Sequence, residues 1–224
     1  MRLTPLPHPE HPDPYSVQER RWLYDSPWIR VREDHFRHRQ GAQGRYAVCG
    51  FLRTACGVLA LDDQDRVALV GQWRYPLEAY SWEIPEGGGE ATESPFEAIQ
   101  RELVEEAGLA ARTWEPLCFF HPSNSSSEEE AFLFLATGLA ANSAHQPEND
   151  EELQLRWEPF SQCLQRVLAG EITDSLTVVA LLALQARRSG VPALLEASLA
   201  ERFFQRPQDH PSPGRARWAT LERP

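Results

Sequence analysis

Hydrophobic and polar positions follow two different periods along this chain. Residues 28–36 (Trp-Ile-Arg-Val-Arg-Glu-Asp-His-Phe) alternate with period two, as a strand with one covered face does. Residues 45–51 and 57–61 carry the apolar, β-branched text of further strands. The run Leu61-Asp-Asp-Gln-Asp-Arg66 supplies a turn, and 67–70 is the next strand. At 94–107 the period becomes helical. Residues 115–120 and 131–136 are again strand-like, separated by a polar, serine-rich loop, and 153–157 alternates once more. Residues 160–169 and 175–188 predict two helices joined through Gly170. Strands dominate the first half and helices the end, which predicts an α+β fold with an antiparallel or mixed sheet. No internal repeat is present.

The ends differ from this core. Pro5, Pro7, Pro9, Pro12 and Pro14 block helix and ladder bonding, so the start reads as an extended arm. Pro207, Pro211, Pro213, Gly214 and Pro224 give the other end the same character. The expected organisation is an arm at 1–19, a strand segment at 20–55, the main domain at 56–190, and a helix and tail at 191–224.

Composition narrows the function. With 224 residues, 42% hydrophobic and 25% charged, the chain can bury an ordinary core. A net charge of −11 and the lack of any Lys/Arg cluster argue against nucleic acid as a partner. A small anion is compatible with that charge where a divalent cation inverts the local field. Cys49, Cys56, Cys118 and Cys163 form no C-x-x-C pair, and Cys49 and Cys118 read as buried thiols. The first residues lack a signal-peptide pattern, and no run of about 18 apolar residues offers a membrane span. The expected location is cytoplasmic.

Candidate chemistry concentrates in residues 87–109. Ser94 is placed to cap a helix, Pro95 suits its first position, and Glu97 completes a capping box. Gly108 is the natural stop. The preceding Gly87-Gly88-Gly89 reads as a loop free to take conformations other residues avoid. At about 100° per residue, Phe96, Ile99, Leu103 and Ala107 share a core-facing arc. Glu102, Glu105 and Glu106 fill the neighbouring arc, and Glu102 and Glu106 repel one another at i and i+4. A bare E-x-x-E-E is most often a solvated face; three carboxylates at the border of a core call for a counterion. Hard oxygen ligands of this kind suit Mg²⁺, with Mn²⁺ as the alternative.

Gly87, Glu93, Arg101, Glu102, Leu103, Glu105, Glu106, Gly108 and Leu109 together match G-x5-E-x7-R-E-U-x-E-E-x-G-U, where U is apolar. This is the Nudix box, and the sequence resembles the Nudix hydrolases. The resemblance implies an α/β/α sandwich with a mixed sheet, the box forming a loop, helix and loop within a catalytic domain at 56–190. It implies Glu102 and Glu106 as metal ligands, and Glu105 as a ligand or water-orienting group. It further implies the Glu86 carbonyl as a ligand, and Arg101 holding the loop through Glu93.

The flanking text resembles one branch of that family. Gln72-Trp73-Arg74-Tyr75-Pro76 and Trp82-Glu83-Ile84-Pro85-Glu86-Gly87-Gly88 are similar to the Q-Y-R-x-P and W-E-x-P-A-G blocks of ADP-ribose and sugar-nucleotide pyrophosphatases. Glu86 departs from that pattern, standing where the branch has alanine. Arg74 is a candidate for phosphate recognition, with a structural ion pair as the alternative. Glu83 is a site-lining carboxylate or a structural acceptor. Trp73, Tyr75, Tyr80 and Trp82 are candidates to stack on a base, with a core role as the alternative. In the loop 121–130 the resemblance implies a water-positioning glutamate. Register from the following strand favours Glu129, with Glu128 next. The stretch 170–177 is similar to the branch's G-x-I-x-D-x-x-T segment, where Asp174 caps a helix.

The resemblance therefore implies metal-dependent hydrolysis of a nucleoside diphosphate sugar by a homodimer that exchanges N-terminal strands. ADP-ribose, split to AMP and ribose 5-phosphate, is the expected substrate. GDP-mannose, UDP-glucose or a dinucleoside polyphosphate are alternatives within the same chemistry. A sugar-nucleotide sensor that binds without cutting is the alternative of another class, and the intact box speaks against it.

Overall fold

The computed structural model describes residues 12–142, 152–192 and 195–208. The proline-rich readings at residues 4–11 and from 209 onward lie outside the described residues. Among the described residues, ten strands and four α-helices occur in the order β1 (Tyr15–Asp25), β2 (Ile29–His38), β3 (Gln43–Phe51), β4 (Thr54–Ala60), β5 (Arg66–Arg74), β6 (Ala79–Glu83), β7 (Glu86–Gly89), α1 (Pro95–Ala107), β8 (Leu109–Phe120), β9 (Ala131–Ala141), β10 (Gln154–Pro159), α2 (Phe160–Leu168), α3 (Ser175–Arg188) and α4 (Ala197–Arg202). They form three sheets, β1-β2-β3, β10-β5-β6 and β7-β4-β9-β8. The fold is α+β with a mixed sheet, because β4 runs parallel to β9 and antiparallel to β7.

Period two in the central strands builds the three layers. Cys56, Val58 and Ala60 of β4 and Phe132, Phe134 and Ala136 of β9 face one side, where they meet Ala98, Ile99, Leu103 and Ala107 of α1. Leu59 of β4 and Ala131 and Leu133 of β9 face the other, against Phe160 and Cys163 of α2 and Leu176, Ala180, Leu181 and Leu184 of α3. A strand buried on both faces must be apolar throughout, which is why 57–61 lacks alternation.

Three sequence expectations change. The boundary of the arm falls earlier than residue 19: β1 starts at Tyr15, where its pairing with His38 of β2 begins, although its sequence carries no apolar alternation. Cys49 and Cys118 are only half-buried; the fully buried thiols are Cys56, on β4 facing α1, and Cys163, on α2 facing the sheet. Gly87–Gly89 is not a free loop. It lies in β7, paired with Thr54–Cys56 of β4, and none of the three takes a positive φ.

The described C-terminal segment closes the α1 layer. Phe203 is fully buried, with its ring 5.0 Å from Phe132 and 5.1 Å from Phe134. Removing such a ring costs about 3–5 kcal/mol through lost burial and the cavity left behind. Phe203→Ala is therefore expected to lower Tm by roughly 10 °C in calorimetry. A drop below roughly 2 °C would contradict this placement of the segment.

Candidate active site

Local sequence rules fix the helix that carries the box. The Ser94 side chain accepts the Glu97 N–H, and the Glu97 carboxylate accepts the Ser94 N–H, completing the capping box. Gly108 ends the helix at φ 64°, a left-handed cap that glycine adopts without strain. Between these stops, Glu102 and Glu106 fall at the border of the buried arc, 9% and 8% exposed. Opposite them runs β7. A Cβ on Gly87 would stand 2.2 Å from the Glu102 carboxyl carbon, so only glycine leaves room for that carboxylate. The Glu106 carboxylate accepts the Glu86 N–H at 2.8 Å, pinning helix to strand.

Arg101 organises the charges. Its Nε and Nη2 donate to the two oxygens of Glu93, each at 3.1 Å. Its Nη1 donates to Glu102 and Glu105, each at 2.8 Å. Glu93 also accepts the Glu90 N–H, and the Arg101 guanidinium holds its carboxyl below the usual range. One cation thus ties the segment before the helix to two helix carboxylates.

A cavity of about 490 Å³ opens over this seam, within the range of small-molecule sites. Its lining brings together Arg101, Glu102, Glu105, Glu106, Glu86, Arg74 and Glu129. Glu128 instead lines a second cavity, between the β1-β2-β3 sheet and the serine-rich loop. Arg74 lines the cavity and is paired with both Glu83 and Glu86, the structural ion pair given as its alternative. Glu83 is buried and grips Arg74 rather than lining this cavity. Trp73 does not line it either: alternation along β5 sends Gln72 and Arg74 to the cavity and Trp73 to the opposite, exposed face.

Sequence reasoning missed Trp28, Phe51 and Arg53, which line the cavity from the start of β2, the end of β3 and the link to β4. Trp28 is 67% exposed, and Arg53 lays its stem over Gly88, whose Cβ would meet it at 2.6 Å. The available signal was the second glycine of β7, which marks a close approach by some neighbour without naming it.

The donor set fits a divalent cation. Glu102, Glu105 and Glu106 supply hard oxygens, and the glycine strand leaves a cradle that any side chain would fill. Among the described residues no three acid, His or Cys side chains converge on one point, and Glu102 and Glu105 are both paired with Arg101.

Behind this site Asp174 caps α3 by accepting the Thr177 N–H, while the Thr177 hydroxyl accepts the Ile84 N–H and fixes the 82–86 block. Burial drives the Glu86 carboxyl well above the usual range, and neighbouring Asp174 and Glu83 add to the effect. Raised above its unfolded value in spite of the opposing Arg74 charge, such a carboxyl contributes stability that is lost as pH rises above the usual carboxylate range. Glu86→Gln removes the dependence. Its Tm is expected to gain on the parent's as pH rises above the usual carboxylate range. A Tm difference that stays constant over that rise would contradict the assignment.

The NUDIX domain family model matches residues 51–176. The chain is 33% identical over 138 residues to the ADP-ribose pyrophosphatase of Mycobacterium tuberculosis, covering 61% of this chain and 67% of that protein. It is 34% identical over 132 residues to the methanol dehydrogenase activator of Bacillus methanolicus, covering 58% and 71%. It is 31% identical over 136 residues to the ADP-ribose pyrophosphatase of Bacillus subtilis, covering 60% and 74%. Its fold is similar to the crystal structure of an ADP compounds hydrolase, with a TM-score of 0.71 over 80% of this chain and 98% of that one at 19% identity. With the family match extending over more than half of its residues, the chain belongs to the NUDIX domain family.

Proposed function

We propose that the protein hydrolyses the diphosphate bond of a nucleoside diphosphate sugar in a Mg²⁺-dependent reaction, with ADP-ribose as substrate and AMP and ribose 5-phosphate as products. The observation that carries this reading is one cavity lined by the three box glutamates, a loop glutamate, arginines and an exposed indole. The names of two similar proteins support the choice of ADP-ribose.

Glu102, Glu105 and Glu106 would hold the cation, together with the Glu86 carbonyl. When bound, the cation screens the diphosphate charge and makes water a better nucleophile. The rest falls to the chain's own groups. Arg53 faces the phosphates with a planar fork of donors. Arg74, its Nε and Nη2 held by Glu83 and Glu86, presents its Nη1 edge. Trp28 offers a flat apolar surface for the base. Glu129 takes the proton of the attacking water. The water oxygen forms a bond to one phosphorus as the bridging P–O bond breaks, and two monophosphates leave. Arg101 keeps Glu93, Glu102 and Glu105 in register throughout.

Homodimer formation through the N-terminal strands belongs to the same reading. Leu23 and Tyr24 lie exposed on β1, and a partner's strands would cover them. No helix among the described residues is long and apolar enough to cross a membrane.

The test is turnover of ADP-ribose, GDP-mannose, UDP-glucose, diadenosine polyphosphates and NADH with Mg²⁺, products being resolved by chromatography. AMP from ADP-ribose is expected to dominate and to vanish with chelator. Glu106→Gln is expected to lower kcat by about a hundredfold or more. Preference for another sugar nucleotide would overturn the substrate; tight binding without turnover of any compound would overturn the hydrolase.

A further inference from the structure

The segment 195–208 lies beyond the family match, yet it touches both halves of the site. The Phe203 carbonyl accepts the N–H of Phe96, the second residue of α1, at 3.0 Å. One residue earlier, Arg202 Nη2 donates to both oxygens of Glu130, each at 2.8 Å. The guanidinium lies 5.1 Å from the ring centre of Phe119 and 5.5 Å from that of Phe132. Glu130 is 5% exposed, and a carboxylate that deeply buried is costly unless paired.

Glu130 follows the loop glutamate directly, and successive side chains here go to separate places. Glu128 lines the cavity behind the serine-rich loop, Glu129 lines the catalytic cavity, and Glu130 reaches Arg202. The Glu130 carbonyl also accepts the Ala55 N–H at 3.1 Å. Both the carboxylate and the carbonyl of Glu130 are thus held, immediately next to Glu129 in the chain. The middle of the loop is tied to β3, where the Tyr46 hydroxyl donates to the Ser125 carbonyl and the Cys49 N–H to the Ser126 carbonyl.

We propose that Arg202 is a positioning residue for the hydrolysis: its grip on Glu130 sets the Glu129 carboxylate at the cavity wall. The C-terminal segment is thereby part of the catalytic apparatus, joining the box helix to the loop that faces it. The inference rests on the reading of Glu129 as the proton acceptor.

The test is a double-mutant cycle on full-length protein with ADP-ribose and Mg²⁺, comparing Arg202→Gln, Glu129→Gln and the pair. Arg202→Gln is expected to lower kcat by about tenfold to a hundredfold while KM changes by less than about twofold. Mn²⁺ affinity, read by titration, is expected to stay within about twofold, since the box glutamates are untouched. Arg202→Lys, which keeps the charge, is expected to recover most of the loss. In the Glu129→Gln background, Arg202→Gln is expected to add less than about twofold. If Arg202→Gln alone fails to fold, Glu130→Gln carries the same cycle, because it weakens the grip without stranding a buried charge.

Wild-type kcat in folded Arg202→Gln, or losses that multiply fully in the pair, would overturn the proposal while leaving Glu129 in place. Wild-type kcat in Glu129→Gln would overturn the Glu129 reading, and the proposal with it.

Discussion

Carboxylates crowded at a seam between helix and backbone set the terms for this structure. Glu102 and Glu106 stand one turn apart on α1, nearly buried, against a strand of glycines. Like charges so placed repel, and desolvation raises the cost. The chain answers with Arg101, which spans Glu93, Glu102 and Glu105, and with the Glu86 N–H offered to Glu106. Those partners leave three carboxylates on one guanidinium and a fourth, Glu106, on a backbone N–H, a local excess of negative charge. A divalent cation between Glu102, Glu105 and Glu106 would offset that excess, which links the site's chemistry to the stability of its frame.

The layers explain why the seam can exist. β4 and β9 lie parallel at the centre, with α1 on one face and α2 and α3 on the other. β7 pairs with β4 at the sheet edge, so the glycine strand is rigid where a loop would yield. The same rigidity brings Arg53 over Gly88 and leaves the cavity open above the helix. The cavity sits where the sheet edge, the helix border and the returning loop meet.

Much of this was legible in sequence, for identifiable reasons. Alternation marked β2, and uninterrupted apolar text marked β4 and β9, since burial on one face or two writes itself into composition. The box helix carried its own stops at Ser94 and Gly108. The glycines were misread because a run of them signals either freedom or close approach, and only the facing Glu102 and Arg53 decide which. β1 went partly unseen because its side chains are mostly exposed and its pairing with β2 is a backbone matter. Trp28 and Arg53 were missed because contacts between residues far apart in sequence leave no periodic trace. Arg202 was missed for the same reason, lying 72 residues from its partner Glu130.

The most direct measurement is thermal unfolding of chelator-treated protein titrated with Mg²⁺ at constant ionic strength. If the carboxylate seam is held short of one cation, Tm rises saturably with Mg²⁺ up to about 10 mM, and neutralising Glu102 raises the metal-free Tm while shrinking that rise. A Tm that does not respond to Mg²⁺, in a protein whose Glu102→Gln variant unfolds at the same temperature as the parent, would contradict the account.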